Sequence, residues 1–185
     1  MTPRHLFFAG VPCTGKSLVG RWLADHKNYV HIDAEHEGGV HFDEAGVHGE
    51  WNKFLWDGRA REFVQALDKI GRPVVLNWGL PLWEHDYSFV VPALQNESVS
   101  AWWFRGNYER AHAAFVAREK GKPENKRMSE DLFDKQLAQI KRHWMLIERI
   151  FAPQMVNGLM PDGSQRSAED IWAEISKARD GDTND

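Results

Sequence analysis

The chain has 185 residues, 42% of them hydrophobic, and a formal net charge of −4, which fits one globular domain. This acidic balance disfavours a general nucleic-acid binder, which would present a basic face. No apolar run approaches the ~20 residues of a membrane-spanning helix, and residues 1–4 show no leader pattern, so we expect a cytoplasmic protein. The single cysteine, Cys13, excludes an intrachain disulfide and is compatible with a reducing compartment.

Residues 10–17 carry a phosphate-binding motif. They read G-x-x-x-x-G-K-S and lie between the apolar run Leu6-Phe7-Phe8-Ala9, predicted as a buried strand, and a predicted helix. In this motif backbone N–H groups surround a phosphate, the lysine reaches the β- and γ-phosphates, and the serine hydroxyl ligates Mg²⁺. The following helix N-terminus also favours negative charge. We therefore predict nucleotide binding by Gly10, Val11, Pro12, Cys13, Thr14, Gly15, Lys16, Ser17 and Leu18.

Strand and helix patterns alternate along the chain, which predicts an α/β fold with a parallel sheet. We expect strands near residues 5–9, 28–33, 74–77, 99–104 and 154–156. Helices are expected near 16–26, 50–70 with a break at Asp57-Gly58, 88–94, 108–117, 129–150 and 167–177. The expected organisation is one domain over residues 1–178, with a mobile charged segment at about 118–129 and a disordered tail at 179–185.

Polar residues follow the predicted strands at the edge where ligands bind in open α/β sheets. Asp33 ends the second strand, beside the phosphate loop. We predict that it accepts the proton of an attacking hydroxyl and also supports Mg²⁺. Glu35 lies two residues further on and is a second candidate for the acceptor side. Trp78 and Gly79 follow the third strand, and we place them at the acceptor pocket together with the candidate wall residues Trp51 and Trp83.

The second strand permits another interpretation. His31, Asp33 and Glu35 alternate along it, and such side chains on one face could ligate Zn²⁺ or another transition metal. The neighbouring phosphate loop already explains a carboxylate at Asp33. Both interpretations stay open at the level of sequence.

Residues 118–127 carry five basic side chains in ten positions, with Gly121 and Pro123 interrupting any helix. A closing segment with arginines can neutralise the charge that develops on a transferring phosphoryl group and expel water. Arg118 and Arg127 are the leading candidates, because a guanidinium binds phosphate oxygens in pairs. A solvated charged loop is the alternative. Arg110, earlier in the preceding helix, is a candidate for contact with the nucleotide.

With these motifs the chain resembles the small P-loop kinases, among them the gluconate, shikimate, adenylate and nucleoside kinases and the kinase domains of polynucleotide kinases. The resemblance implies a three-layer sandwich with a five-stranded parallel sheet in the order 2-3-1-4-5, and use of ATP and Mg²⁺. It also implies that Asp33 contacts the acceptor hydroxyl, that Gly79 borders the acceptor, and that Arg118 and Arg127 belong to the lid. By the same resemblance Arg59 and Arg61 are possible anion contacts, and the loop 161–166 borders the adenine.

One departure leaves the function open. The third strand ends in Asn77, where many P-loop proteins have an acid, and no acceptor signature is present. The leading hypothesis is an enzyme that transfers the γ-phosphate of ATP to a small-molecule hydroxyl, with no membrane or nucleic-acid partner. The alternatives are a nucleotide or polynucleotide kinase, and a catalytically inactive ATP-binding sensor.

Overall fold

The computed structural model describes residues 4–34, 39–79 and 86–181. Within them a parallel sheet has the strand order β2-β3-β1-β4-β5, as the resemblance implied. The strands are β1 (His5–Gly10), β2 (Val30–Asp33), β3 (Val74–Asn77), β4 (Val99–Arg105) and β5 (Met155–Asn157). Nearly every strand residue is buried, as expected for a sheet covered on both faces.

Eight α-helices are assigned in the described residues. They are α1 (Lys16–His26), α2 (His48–Asp57), α3 (Ala60–Lys69), α4 (Val91–Asn96), α5 (Tyr108–Lys120), α6 (Glu130–Arg142), α7 (Trp144–Phe151) and α8 (Ala168–Gly181). A π-helical turn, Asp86–Val90, precedes α4, and a 3₁₀ turn, Glu124–Lys126, lies between α5 and α6. None of the helices in the described ranges is both long and apolar enough to cross a membrane.

Some predicted boundaries were wrong. The single helix expected over 129–150 is two helices, because His143 leaves the helical conformation, with φ −102° and ψ 13°, between α6 and α7. Phe133, Ile140 and Ile147 are all buried at seven-residue spacing, so the apolar pattern continues across this break and hides it. In addition, α5 continues to Lys120 and α8 to Gly181, beyond the predicted ends at Ala117 and Lys177.

The helices cover the two faces of the sheet unequally. On one face α1 and α8 pack on Phe8 and Phe104 through residues such as Leu23 and Ile171. On the other face the remaining helices pack on Phe7 and Trp103. Neighbouring strand residues point to opposite faces, so Phe7 and Phe8 anchor different layers. The structure is therefore the predicted three-layer α/β sandwich.

The loop after β1 is held against the ends of β4 and β5 by very close backbone contacts. A Cβ atom on Gly158 would lie 1.7 Å from the carbonyl oxygen of Thr14. A Cβ atom on Gly10 would lie 2.4 Å from the carbonyl oxygen of Phe104, and Gly10 has a φ of 136°. Only glycine permits backbone contacts this close. These contacts fix the position of the loop relative to the ends of β4 and β5.

Gly158→Ala is predicted to weaken both stability and nucleotide binding, because the added methyl group must push the Thr14 backbone away. Overpacking of this kind typically costs about 1–3 kcal/mol. Melting temperature and ATP affinity measure the two effects. Gly49→Ala is the matched control, since a Cβ atom there meets nothing within 4 Å and alanine favours helix α2 by about 1 kcal/mol. Equal melting temperatures for the two variants would contradict the packing argument.

His5 at the start of β1 should make stability depend on pH. It is 2% exposed, and its Nδ1 accepts a hydrogen bond from the Val74 backbone N–H at 3.0 Å. Burial lowers the pKa of His5 below 6.5, against the opposing effect of Asp68. The folded state therefore disfavours the proton, and His5 contributes stability above about pH 6.5 that is lost as the pH falls through its folded pKa.

The melting temperature should consequently decrease between about pH 7.5 and about pH 5.5, and His5→Gln should show a smaller decrease over the same range. Thermal unfolding of both proteins across this range makes the comparison. The same pH dependence in both would contradict the assignment to His5.

Candidate functional site

The phosphate loop connects β1 to α1 in the conformation that its sequence predicts. Gly15 precedes α1 in the left-handed region, with φ 93° and ψ 7°. Lys16 is 7% exposed, and its Nζ donates to the carbonyl oxygens of Gly10 at 3.0 Å and Val11 at 2.9 Å. Thr14 Oγ1 donates to the Val11 carbonyl oxygen at 2.7 Å. The ammonium group thus lies across the loop, where it can exchange these carbonyl partners for phosphate oxygens.

Asp33 lies next to this loop, as predicted. It is the last residue of β2 and is 2% exposed. Its Oδ2 accepts a hydrogen bond from Ser17 Oγ at 2.9 Å. A buried carboxylate therefore meets the hydroxyl of the loop serine directly. Mg²⁺ binds oxygen ligands, usually one or two protein carboxylates, and keeps waters and phosphate oxygens as its other ligands. The Ser17 hydroxyl and the Asp33 carboxylate therefore form a pair of ligands suited to this ion.

Asn77 and His31 lie beside Asp33 on the face of the sheet that α1 covers. Asn77 is opposite Asp33 in the β2–β3 register, and its Nδ2 lies 2.8 Å from His31 Nε2. The same His31 nitrogen is 3.8 Å from Asp33 Oδ2. A Cβ atom on Gly20 of α1 would lie 2.5 Å from His31 Nε2, so glycine makes room for the imidazole. Asn77 Oδ1 is buried without a hydrogen-bond partner among the described residues.

The zinc interpretation receives no support from the arrangement of these side chains. Among the described residues, no three histidine, cysteine, aspartate or glutamate side chains form a group that could hold a metal ion. Glu35, which this interpretation and the acceptor prediction both used, lies outside the described residues, as does Trp83.

A cavity of about 280 Å³ opens above the phosphate loop, on the side of α1 and α5. Basic and polar side chains surround it, among them Lys16, Ser17, Arg21, Arg118 and Gln165. The predicted lid residue Arg118 thus lies at the same cavity as the loop lysine, although the two are far apart in sequence. Three cationic side chains around one cavity favour a polyanionic ligand.

Two of the polar cavity residues were not predicted individually from the sequence. Arg21 lies one helical turn beyond Ser17 on α1, a spacing that places both on one side of the helix. Gln165 lies within the loop 161–166, and its Nε2 donates to the Gly158 carbonyl oxygen at 2.7 Å. A Cβ atom on Gly15 would lie 2.3 Å from the same Gln165 nitrogen. Helical spacing was a usable signal for Arg21, whereas no sequence signal identified Gln165 within its loop.

Arg110 lies against the loop 161–166 that was expected to border an adenine. A Cβ atom on Gly163 would lie 2.7 Å from Arg110 Cγ. Hydrogen bonds from the Ser164 hydroxyl and backbone N–H, with a smaller contribution from the Arg110 charge, lower the pKa of Asp162 in this loop. The structure thus places Arg110, predicted to contact the nucleotide, against the loop predicted to border the adenine.

Two predicted arginines lie elsewhere. Arg127 donates from Nε to the Lys122 carbonyl oxygen at 2.9 Å and from Nη2 to the Lys120 carbonyl oxygen at 3.2 Å, and it does not line the cavity. Arg61 is exposed and lies 3.4 Å from Glu97 Oε2 through its Nε. Glu97 precedes β4, so Arg61 points toward the end of the sheet opposite the phosphate loop.

Trp78 and Gly79 follow β3 beside the end of β1. The backbone N–H of Trp78 donates to the Phe8 carbonyl oxygen at 3.0 Å. The half-buried indole meets the edge of Trp51 with 5.1 Å between ring centroids, and Trp51 stacks on Phe42 at 4.7 Å. Trp51 is 6% exposed and belongs to the core. Of this aromatic group, Trp78 is therefore the better placed to form the wall of a pocket.

No protein-family model and no curated protein sequence matches this chain. Solved structures do match its fold. Shikimate kinase from Acinetobacter baumannii in complex with shikimate has a TM-score of 0.59 at 18% identity, covering 100% of this chain and 97% of that one.

Two further solved structures are similar over nearly their whole length. A gluconokinase from Sinorhizobium meliloti 1021 has a TM-score of 0.53 at 15% identity, with 97% and 95% of the two chains covered. Kti12 from Chaetomium thermophilum in complex with ADP-AlF3 has a TM-score of 0.51 at 11% identity, with 94% and 98% covered. At these identities the likeness is one of fold. The chain has the α/β P-loop fold that these proteins share.

Proposed function

We propose that the protein transfers the γ-phosphate of Mg-ATP to a hydroxyl group of a small molecule. The observation that carries this proposal is the 2.9 Å hydrogen bond between Ser17 Oγ and the buried Asp33 carboxylate, directly beside Lys16. It joins a phosphate loop to a carboxylate at the edge of the sheet where open α/β proteins bind ligands. The shikimate kinase and gluconokinase folds support a small-molecule acceptor.

The groups in and beside the phosphate loop have separate roles in this reaction. Backbone N–H groups of the phosphate loop, from residues 10–18 other than Pro12, hold the phosphates, and Lys16 neutralises charge on the β- and γ-phosphates. Arg118 contacts the transferring phosphoryl group, which spreads negative charge over its oxygens in the transition state. Arg110 and the loop 161–166 border the adenine. These positions require ATP to extend from the loop after β1 toward the loops after β4 and β5.

Ser17 and Asp33 are the residues that would hold Mg²⁺, which when bound neutralises phosphate charge and aligns the β- and γ-phosphates. Asp33 also orients the acceptor hydroxyl and accepts its proton. Trp78 and Gly79 lie at the neighbouring strand end, where they border the acceptor, and Glu35 remains a proposed contact. An indole at this point favours an acceptor with an apolar or ring face.

Asn77 favours a second candidate, a nucleotide-binding sensor that transfers no phosphate. An amide replaces the acid that many P-loop proteins place at the end of this strand, so metal support beyond Ser17 must come from Asp33 or from water. Acceptor-dependent turnover separates the two candidates, because a sensor would bind ATP without it.

Lys16→Ala should abolish acceptor-stimulated ADP release, with a loss of at least about 10²–10³-fold, since it removes the cation closest to the phosphates. ADP release is measured from Mg-ATP with sugars, sugar acids, nucleosides, nucleotides, aminoglycosides and oligonucleotide 5′ ends. Lys27→Ala, at the other end of α1, is the matched control. ATP binding without stimulation by any acceptor would favour the sensor, and stimulation that survives in Lys16→Ala would contradict the proposed site.

Asp33→Asn should lower turnover by about 10²–10⁴-fold, the range for removal of a general base, while ATP affinity changes much less. Steady-state ADP release and equilibrium ATP binding give the two quantities. Asp43→Asn is the control, because that exposed carboxylate pairs with His48 and its pKa is lowered mainly by this hydrogen bond. Unchanged turnover in Asp33→Asn would remove Asp33 from the mechanism.

A further inference from the structure

A buried carboxylate, Glu119, lies in the last turn of α5, where the charged segment 118–127 begins. Ala111, Phe115 and Glu119 are the buried residues of this helix, at four-residue spacing. Glu119 thus occupies the third position of an apolar stripe and is 4% exposed. A charged group at such a position is expensive unless it is fully paired.

Glu119 collects hydrogen bonds from both ends of the segment. Its Oε1 accepts from Arg118 Nε at 3.0 Å and from Lys122 Nζ at 2.9 Å, and it forms an ion pair with Arg118 Nη2 at 2.9 Å. Its Oε2 accepts from the Met128 backbone N–H at 2.9 Å. Burial opposes ionisation, but the Met128, Lys122 and Arg118 donors outweigh it, so the pKa of Glu119 is lowered. One carboxylate therefore ties the end of α5 to the residue that precedes the N-cap of α6.

Arg127 also connects the two ends of this segment, through hydrogen bonds to backbone carbonyl groups. Its guanidinium bonds to the carbonyl oxygens of Lys120, the last residue of α5, and of Lys122 in the turn beyond it. The segment 118–128 is thus a loop closed around Glu119.

The Arg118 side chain contacts Glu119 and Phe115 and also lines the phosphate cavity. Its guanidinium lies over the Phe115 ring, with 5.3 Å between Cζ and the ring centroid. Two of its nitrogens bond to Glu119, and its side chain lines the cavity of Lys16 and Ser17. An arginine held in one rotamer by an ion pair and a ring needs no reorganisation when phosphate charge develops.

We propose that Glu119 is a positioning residue that holds Arg118 toward the transferring phosphoryl group and closes the loop 118–128. This inference rests on the proposed function, in which Arg118 contacts that group. It predicts that Glu119 acts on the phosphoryl group only through Arg118.

The test uses the full-length protein with two probes, MgADP alone and MgADP with aluminium fluoride, which imitates the transferring phosphoryl group. Calorimetry measures the preference for the second probe in the wild type, Arg118→Ala, Glu119→Gln and the double variant. Arg118→Ala and Glu119→Gln should each lose about 10²-fold of the preference, the size of effect expected when a catalytic group is misplaced. The double variant should lose no more than Arg118→Ala, because the two residues act as one unit.

Limited trypsin digestion provides a second measurement that needs no nucleotide. Glu119→Gln should speed cleavage within residues 118–127 at least 10-fold, because the loop loses its closure. Glu124→Gln, the same change at an exposed residue of the same loop, should alter neither measurement. Glu119→Asp keeps the charge and should give both effects more weakly, which preserves the test if Glu119→Gln folds poorly.

A wild-type preference in Glu119→Gln, or a double variant that loses the product of the two single effects, would overturn the positioning role. Wild-type protein that binds neither probe would contradict the proposed function instead. In that case the trypsin rates still decide whether Glu119 closes the loop, and equal rates in Glu119→Gln and Glu124→Gln would overturn that part as well.

Discussion

The close approach of the phosphate loop to the ends of β4 and β5 fixes the charged groups of the site. At Gly158 the backbones are so near that even a methyl group would overlap the Thr14 carbonyl oxygen. If the loop rose to relieve such an overlap, Lys16 and Ser17 would rise with it, because they begin the helix that the loop enters. Ser17 would then lose its hydrogen bond to Asp33 on β2. The glycines therefore set the distance between the phosphate-binding groups and the carboxylate.

The buried charges of the site are stable because each has fixed partners. Lys16 is compensated by two carbonyl oxygens, Asp33 by the Ser17 hydroxyl, and Glu119 by Arg118, Lys122 and a backbone N–H. Removing one partner of a buried ion pair lowers the stability of a protein by about 3–5 kcal/mol. A polyphosphate would offer Lys16 stronger partners than the carbonyl oxygens it now has. Lys16 can thus exchange neutral carbonyl partners for charged phosphate oxygens.

The fold and the centre of the site could be predicted because they depend on local patterns. The strands are short apolar runs, and the loop spacing identifies Lys16 and Ser17 directly. Parallel strands end at one edge, which brought Asp33 to the loop and Arg110 to the loop 161–166. The direction of long side chains could not be predicted, because it depends on neighbours distant in sequence. Arg127 thus bonds to carbonyls of its own loop, and Arg61 to Glu97.

Glu119 shows a different limit of the sequence. Because the helix was predicted to end at Ala117, Glu119 was expected in the charged segment 118–127, whereas in the structure its four-residue spacing from Ala111 and Phe115 places it on the buried face of α5. Three hydrogen bonds and an ion-pair contact with Arg118 Nη2 compensate the burial of this carboxylate. The break at His143 was missed for the opposite reason, since the apolar spacing continues through it.

An uncharged residue at position 77 avoids a second buried carboxylate next to Asp33. An acid at this position would stand opposite Asp33 on the next strand, where strands are about 4.8 Å apart. Two carboxylates so close, both buried, would repel each other until a cation lay between them. The amide of Asn77 instead bonds to His31, for which Gly20 leaves space. The two buried carboxylates therefore act through different cavity residues: Asp33 bonds to Ser17 and Glu119 to Arg118, and both of these partners line the phosphate cavity.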